Sequence, residues 1–121
     1  MKVFQTELPG VLRIEIKTYT DERGFFMERF HEYKFKDLGL PTHFVQDNHS
    51  RSMPKVLRGL HFQKDPAQGK LISVLRGRIY DVAVDLRKDS PAYGKWMGME
   101  LSELGGSMLW IPKGFAHGFC V

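Results

Sequence analysis

Five histidines, His31, His43, His49, His61 and His117, carry the side chains of this sequence that change charge nearest neutral pH. A neutral imidazole is a natural general base toward a modestly acidic C–H bond. Two of the five stand where backbone and ligand can approach closely. His61 follows Val56-Leu57-Arg58-Gly59-Leu60, and His117 follows Ile111-Pro112-Lys113-Gly114-Phe115-Ala116, each in or beside a β-pattern segment near glycine. His31 falls in a helix-like stretch beside Glu32 and Lys34, which suits a surface position. His43 and His49 flank Phe44-Val45-Gln46-Asp47-Asn48 and receive no role. Taken one at a time, each histidine suits a hydrogen-bonded core position. The motifs around His61 and His117 are what single them out.

The elements that hold these residues are short. Twelve glycines and six prolines punctuate the chain as turn residues. Between them, Val11–Tyr19, Gly24–Phe30, Val56–Phe62, Lys70–Leu75, Arg78–Leu86, Trp96–Leu101 and Ser107–Ile111 are rich in branched and aromatic residues and read as strands. One short helix is expected over Glu32–Leu38, with Gly39 as its stop. Many short strands at close, fairly regular spacing predict an all-β sandwich or barrel. In Ile79–Leu86, period two puts Tyr80, Val82, Val84 and Leu86 on a face that belongs in a hydrophobic core. The other face, with Ile79, Asp81, Ala83 and Asp85, is either solvated or lines a polar cavity. A wet outer face is the usual choice for an antiparallel sheet.

At 121 residues and 14.0 kDa the chain is the size of a single domain, residues 1–121. Its 42% hydrophobic and 26% charged residues fit an ordinary globular protein rather than a disordered one. No apolar run approaches the roughly 20 residues of a membrane helix, so no membrane partner is expected. The N-terminus lacks the apolar stretch of a secretory signal, and one cysteine, Cys120, cannot form an internal disulfide, so a reduced, cytoplasmic setting is expected. The 18 basic residues exceed the 14 acidic ones by four but are scattered, without the concentrated basic face of a nucleic-acid binder. Charge alone points no further than a soluble surface, with an anionic small molecule as the alternative.

Gly106, Pro112, Gly114 and His117 have the form G-x5-P-x-G-x2-H, which resembles the second motif of cupin barrels, the jelly-roll or double-stranded β-helix fold. The first cupin motif supplies H-x-H and then a glutamate ahead of a glycine, together a metal site. Here Gln63 follows His61 where a second histidine is needed, and Lys70 stands at the glutamate position before Gly77. A lysine there works against a divalent cation, so no catalytic metal and no cofactor are expected. Six blocks in order then make the resemblance closer: Asp21-Glu22-Arg23-Gly24-Phe25-Phe26, Gln46-Asp47-Asn48-His49-Ser50, Val56 to Gln63, Gln68-Gly69-Lys70, Asp81 to Arg87, and Trp110 to Phe119. Together they resemble the dTDP-4-dehydrorhamnose 3,5-epimerases over nearly the whole chain.

The resemblance implies a substrate, dTDP-4-dehydro-6-deoxy-D-glucose, whose C4 ketone acidifies the C–H bonds at C3 and C5. A base removes a proton, an enolate forms, and a proton returns from the opposite face to give dTDP-4-dehydro-L-rhamnose. By position His61 matches the base and Lys70 the residue beside the developing oxyanion. Asp81, on the polar face of its strand, is expected to share the pocket with Lys70. Arg23 and Arg58 match diphosphate contacts, for which a guanidinium is well shaped. Glu28, Gln46, Asp47 and Asn48 match nucleotide-contacting positions, and His117 a substrate contact. Strict alternation separates Arg58 from His61, so if both reach one ligand the strand must break its period, with a bulge expected at Gly59.

Two implications concern the far end of the chain. Family members are longer, and their proton-donating tyrosine and the carboxylate paired with the catalytic histidine lie beyond the position of Val121. Tyr19, Tyr33, Tyr80 and Tyr93 do not match that donor. The expectation is therefore a shortened epimerase that keeps its nucleotide site and loses much of its turnover, and a homodimer, as in the family and as open sheet edges favour. The competing expectations are a sister activity at one carbon or with a shifted ketone, and a binding-only cupin that holds a dTDP-sugar. A metal-dependent cupin is disfavoured by the substituted ligands.

Overall fold

The computed structural model describes residues 1–121. Its strands are β1 (Lys2–Gln5), β2 (Leu12–Glu15), β3 (Thr18–Asp21), β4 (Gly24–Met27), β5 (Leu57–His61), β6 (Lys70–Ile72), β7 (Arg78–Asp85), β8 (Trp96–Ser102), β9 (Ser107–Ile111) and β10 (Phe115–Cys120), with one helix, α1 (Glu32–Asp37). They form two antiparallel four-stranded sheets, β1-β2-β9-β6 and β5-β10-β7-β8, and a separate β3-β4 hairpin. This is the expected jelly-roll arrangement, in which the chain passes repeatedly between two facing sheets.

The core follows from which side chains each sheet turns inward. Leu109 and Ile111 of β9, with Leu8 and Val11, meet Ala83, Met97, Leu101 and Phe115 of the opposite sheet in one buried cluster. The other face of the first sheet is covered too. Ile14 and Met108 pack with Phe35 and Leu40, so α1 seals that side. Phe35 has no exposed surface, and burying a side chain of that size stabilises by roughly 1.5–3 kcal/mol. Leu40 N–H donates to the Phe35 carbonyl oxygen at 2.8 Å just after Gly39, which takes φ +71 and ends the helix where glycine is expected.

Several boundaries differ from the sequence reading. Val11–Tyr19 is not one strand: it divides into β2 and β3, and the chain turns away at Ile16 and Lys17 to form the hairpin. β1 and β10 lack the expected signal. β10 alternates inward Phe115, His117 and Phe119 with outward Ala116, Gly118 and Cys120, so small residues and a glycine disguise a central strand. On β7 the assignment of faces is reversed. Asp81, Ala83 and Asp85 are fully buried, while Tyr80, expected in the core, is 49% exposed. The inward carboxylates are tolerated because each has a partner.

For Asp85 the partner is Arg87. Its Nη2 lies 2.7 Å from Asp85 Oδ2 and its Nε 3.0 Å from Oδ1, while Ser90 Oγ donates to Oδ2 at 2.6 Å. Arg87 also donates to the Pro9 carbonyl and lies over the Phe115 ring, so it ties the N-terminal loop to the core. These hydrogen bonds, those from Arg87 first, hold the Asp85 carboxyl down to about 2. A folded value below the unfolded one means the stabilisation is present above the ordinary carboxylate range and is lost as pH falls through about 2. Arg87→Ala is expected to destabilise the fold by about 2 kcal/mol at pH 7. The gap from the parent should close between about pH 4 and pH 2 in chemical denaturation curves.

Candidate active site

The site begins with an irregularity in β5. On β10, His117 pairs with His61 and Phe119 with Arg58, so Gly59 and Leu60 together face the single residue Gly118. That is the two-against-one count of a β-bulge, at the glycine where the sequence calls for a break. Paired residues share a face, so the bulge brings both Arg58 and His61 to the inward side with His117 and Phe119. Gly59 has φ +125, a conformation that residues with a Cβ rarely adopt.

The next strand adds the acid. His117 Nε2 lies 2.8 Å from Asp81 Oδ2, and both side chains are buried. Asp81 pairs in register with Phe119, one row from His117. Its second oxygen, Oδ1, is buried without a hydrogen-bond partner. Burial pushes the Asp81 carboxyl above the usual range, and the hydrogen bond with His117 opposes that rise. A folded value above the unfolded one means the protonated acid favours the fold. Stability from this group is complete below the ordinary carboxylate range and declines as pH rises through the raised value.

Lys70 comes from the facing sheet. It pairs with Ile111, and Ile72 pairs with Leu109; since Ile111 and Leu109 belong to the core cluster, Lys70 points into the space between the sheets. The side chain is half-buried. His61, on the edge strand β5, is exposed, and its register with His117 puts it on the inward side of the second sheet. His61 and Lys70 therefore stand on the inward faces of edge strands from the two different sheets, with the His117–Asp81 pair beside the imidazole. No three His, Cys, Asp or Glu side chains converge anywhere in the chain.

Arg58 is held by its own hydrogen bonds: its Nε donates to Ser52 Oγ at 2.9 Å, and its guanidinium reaches the Arg51 carbonyl at 3.5 Å. Ser52 is not among the sequence candidates, and a serine in a loop carries no signal of such a role. The remaining candidates make local bonds. Arg23 sits at the tip of the β3-β4 hairpin and grips Asp21 with Nη2 at 2.6 Å and Nε at 3.2 Å. Glu28 pairs with Lys34 at 2.6 Å. Both acids are held below their ordinary values by these hydrogen bonds. Gln46 Nε2 donates to Asn48 Oδ1 at 3.1 Å, and Asp47 is exposed. Neither Arg23 nor Glu28 bonds to the sheet that carries His61.

Comparison with known proteins bears on the family and the fold. The family model described as dTDP-4-dehydrorhamnose 3,5-epimerase matches residues 5–121. A dTDP-4-dehydrorhamnose 3,5-epimerase of Shigella flexneri is 56% identical over 123 residues, covering 100% of this chain and 68% of the relative. The crystal structure of dTDP-6-deoxy-D-glucose-3,5-epimerase from Legionella pneumophila, in complex with dTDP-4-keto-L-rhamnose, superposes with a TM-score of 0.93 at 51% identity, covering 99% of this chain and 64% of that one. The Bacillus anthracis dTDP-4-dehydrorhamnose 3,5-epimerase, with TDP and PPi bound, gives a TM-score of 0.91 at 48% identity, covering 98% and 69%. The chain thus spans about two thirds of the length of these relatives. A jelly roll that the family model matches over residues 5–121 belongs to the dTDP-4-dehydrorhamnose 3,5-epimerase family.

Proposed function

We propose that the chain acts on a dTDP-linked 4-keto-6-deoxy sugar, moving protons at C3 and C5 on the route from dTDP-4-dehydro-6-deoxy-D-glucose to dTDP-4-dehydro-L-rhamnose. The observation that supports this reading is that His61 and Lys70 each stand on the inward face of their sheet, one in each of the two sheets. In this reading the neutral His61 imidazole takes the proton from the carbon beside the ketone. The C–H electron pair moves into an enolate, and the Lys70 ammonium donates a hydrogen bond to the C4 oxygen as charge gathers there. Asp81 orients His117 against the sugar from the neighbouring row, and Arg58 faces the diphosphate. The reaction needs no resident cofactor, because the ketone itself supplies the acidity. This chemistry on a nucleotide sugar, with one free thiol at Cys120, suits the cytoplasm.

Inversion also needs an acid on the far side of the ring. Tyr80 stands on the outer face of its sheet, and Tyr19, Tyr33 and Tyr93 are exposed outside the two facing sheets. None of the four points into the inter-sheet space. Incubation with the keto-sugar nucleotide in deuterated water separates the cases. Deuterium at C3 or C5 with inversion supports the full reaction, and deuterium with retention supports base without acid. Saturable binding with no deuterium reduces the chain to a nucleotide-sugar binder and removes the catalytic reading.

The substrate is bound by a pair of chains in this proposal. Tyr19, Phe25 and Phe26 leave the β3-β4 hairpin with an exposed aromatic surface, Phe26 at 67%. In this proposal the hairpin delivers Arg23 and Glu28 to the opening of the partner chain. Sedimentation equilibrium is expected to give twice the 14.0 kDa chain mass, and Phe26→Asp to return it to one. A monomeric parent at micromolar concentration would contradict this assembly.

A further inference from the structure

We infer that Gly118 is a positioning residue for the proposed reaction: its missing side chain makes room for the β5 bulge that turns Arg58 and His61 to the same face. Gly118 is the single residue opposite Gly59 and Leu60. A Cβ added there would lie 2.7 Å from the Arg58 carbonyl oxygen, 3.1 Å from Gly59 Cα and 3.2 Å from Leu60 Cδ2. The reciprocal contact is as tight, since a Cβ on Gly59 would lie 2.6 Å from Gly118 Cα and 3.0 Å from the His117 carbonyl oxygen. Four of these five obstacles are backbone atoms of the residues whose register is at stake, so neither strand can yield by turning a side chain. Only glycine on both strands allows the approach.

The two glycines are not equivalent. Gly59 adopts φ +125, so any replacement is strained by its own backbone whatever the space. Gly118 is not among the positive-φ glycines, so the contact alone makes alanine costly there. The consequence is local and functional. The Gly118 Cβ pushes against Arg58 and Gly59, the bulge opens or slides, and the residues on either side shift together. Without the bulge, period two would send Arg58 and His61, three residues apart, to opposite faces. An imidazole displaced by about 1 Å from a reacting carbon can lose on the order of 100-fold in rate.

The activity arm of this inference rests on the proposed function; the register arm does not. Two variants of the full chain serve the test, Gly118→Ala and Val82→Ala. Val82 pairs with Gly118 from the neighbouring strand and points outward, so its truncation weakens the same sheet without touching the bulge. Interstrand NOEs linking His117 to His61 and Phe119 to Arg58 are expected in the parent and in Val82→Ala, and to be lost or shifted to Leu60 in Gly118→Ala. Deuterium exchange into the keto-sugar is expected to fall about 100-fold in Gly118→Ala and to stay within about twofold of the parent in Val82→Ala. Persistence of the parent NOEs in Gly118→Ala, or equal exchange in both variants, would overturn the role of Gly118. A parent that shows the NOEs but exchanges no deuterium defeats the proposed function and leaves the register result to decide this inference.

Discussion

Replacing His61 with asparagine is expected to slow deuterium exchange at the sugar carbon by about 100- to 10,000-fold, the usual contribution of a positioned general base. Asparagine keeps a polar group of comparable reach and cannot accept the proton. His61 lies on an edge strand and is exposed, so little of the core depends on it, and the melting temperature should stay close to the parent's. Binding of dTDP alone should be unchanged, because the imidazole meets the sugar carbon and not the nucleotide. A variant that folds, binds dTDP and exchanges as fast as the parent would remove His61 from the mechanism.

The second large effect is expected at Lys70. Lys70→Met keeps the length of the side chain and deletes its charge. In the proposed reaction the ammonium lies beside the C4 oxygen as negative charge develops there, so its contribution grows from ground state to transition state. Loss of one such donor typically costs about 100- to 1,000-fold in kcat. KM should change far less, and that split distinguishes an oxyanion donor from a lysine that merely binds diphosphate. In the latter case KM would rise with kcat nearly intact. Methionine at this half-buried position beside Ile111 should not weaken the fold, so lost activity could not be ascribed to unfolding.

The residues show why some of this was legible in the sequence and some was not. β9 was readable to its ends because Ser107–Ile111 is a compact apolar run bounded by Gly106 and Pro112. The α1 stop was readable because Gly39 must take a positive φ. The faces of β7 were misread because alternation reports that two faces differ, not which one is inside. Asp81 and Asp85 look like solvent-facing residues until His117 and Arg87 are seen to satisfy them. Those partners lie 36 and two residues away, and only the first is beyond local reach.

The site divides along the same line. His61, Arg58, Asp81 and His117 come together because the β5-β10-β7 pairing puts them on one inward face, and Lys70 stands on the inward face of the other sheet. Arg23, Glu28 and the Gln46–Asn48 segment belong to a hairpin and loops that no ladder ties to those faces. Local pattern has no means of showing where such segments reach. The bulge at Gly59 was deducible only by demanding that Arg58 and His61 serve one ligand. Periodicity alone would have kept them apart.

The most direct measurement is a crystal structure of this chain with the dTDP-linked 4-keto sugar, or an unreactive analogue of it. The sugar should lie between the two sheets, with its C4 oxygen within about 3 Å of Lys70 Nζ and C3 or C5 within about 3.5 Å of a His61 ring nitrogen. A nucleotide sugar seated elsewhere, or seated there with Lys70 turned away from the C4 oxygen, would contradict the central claim.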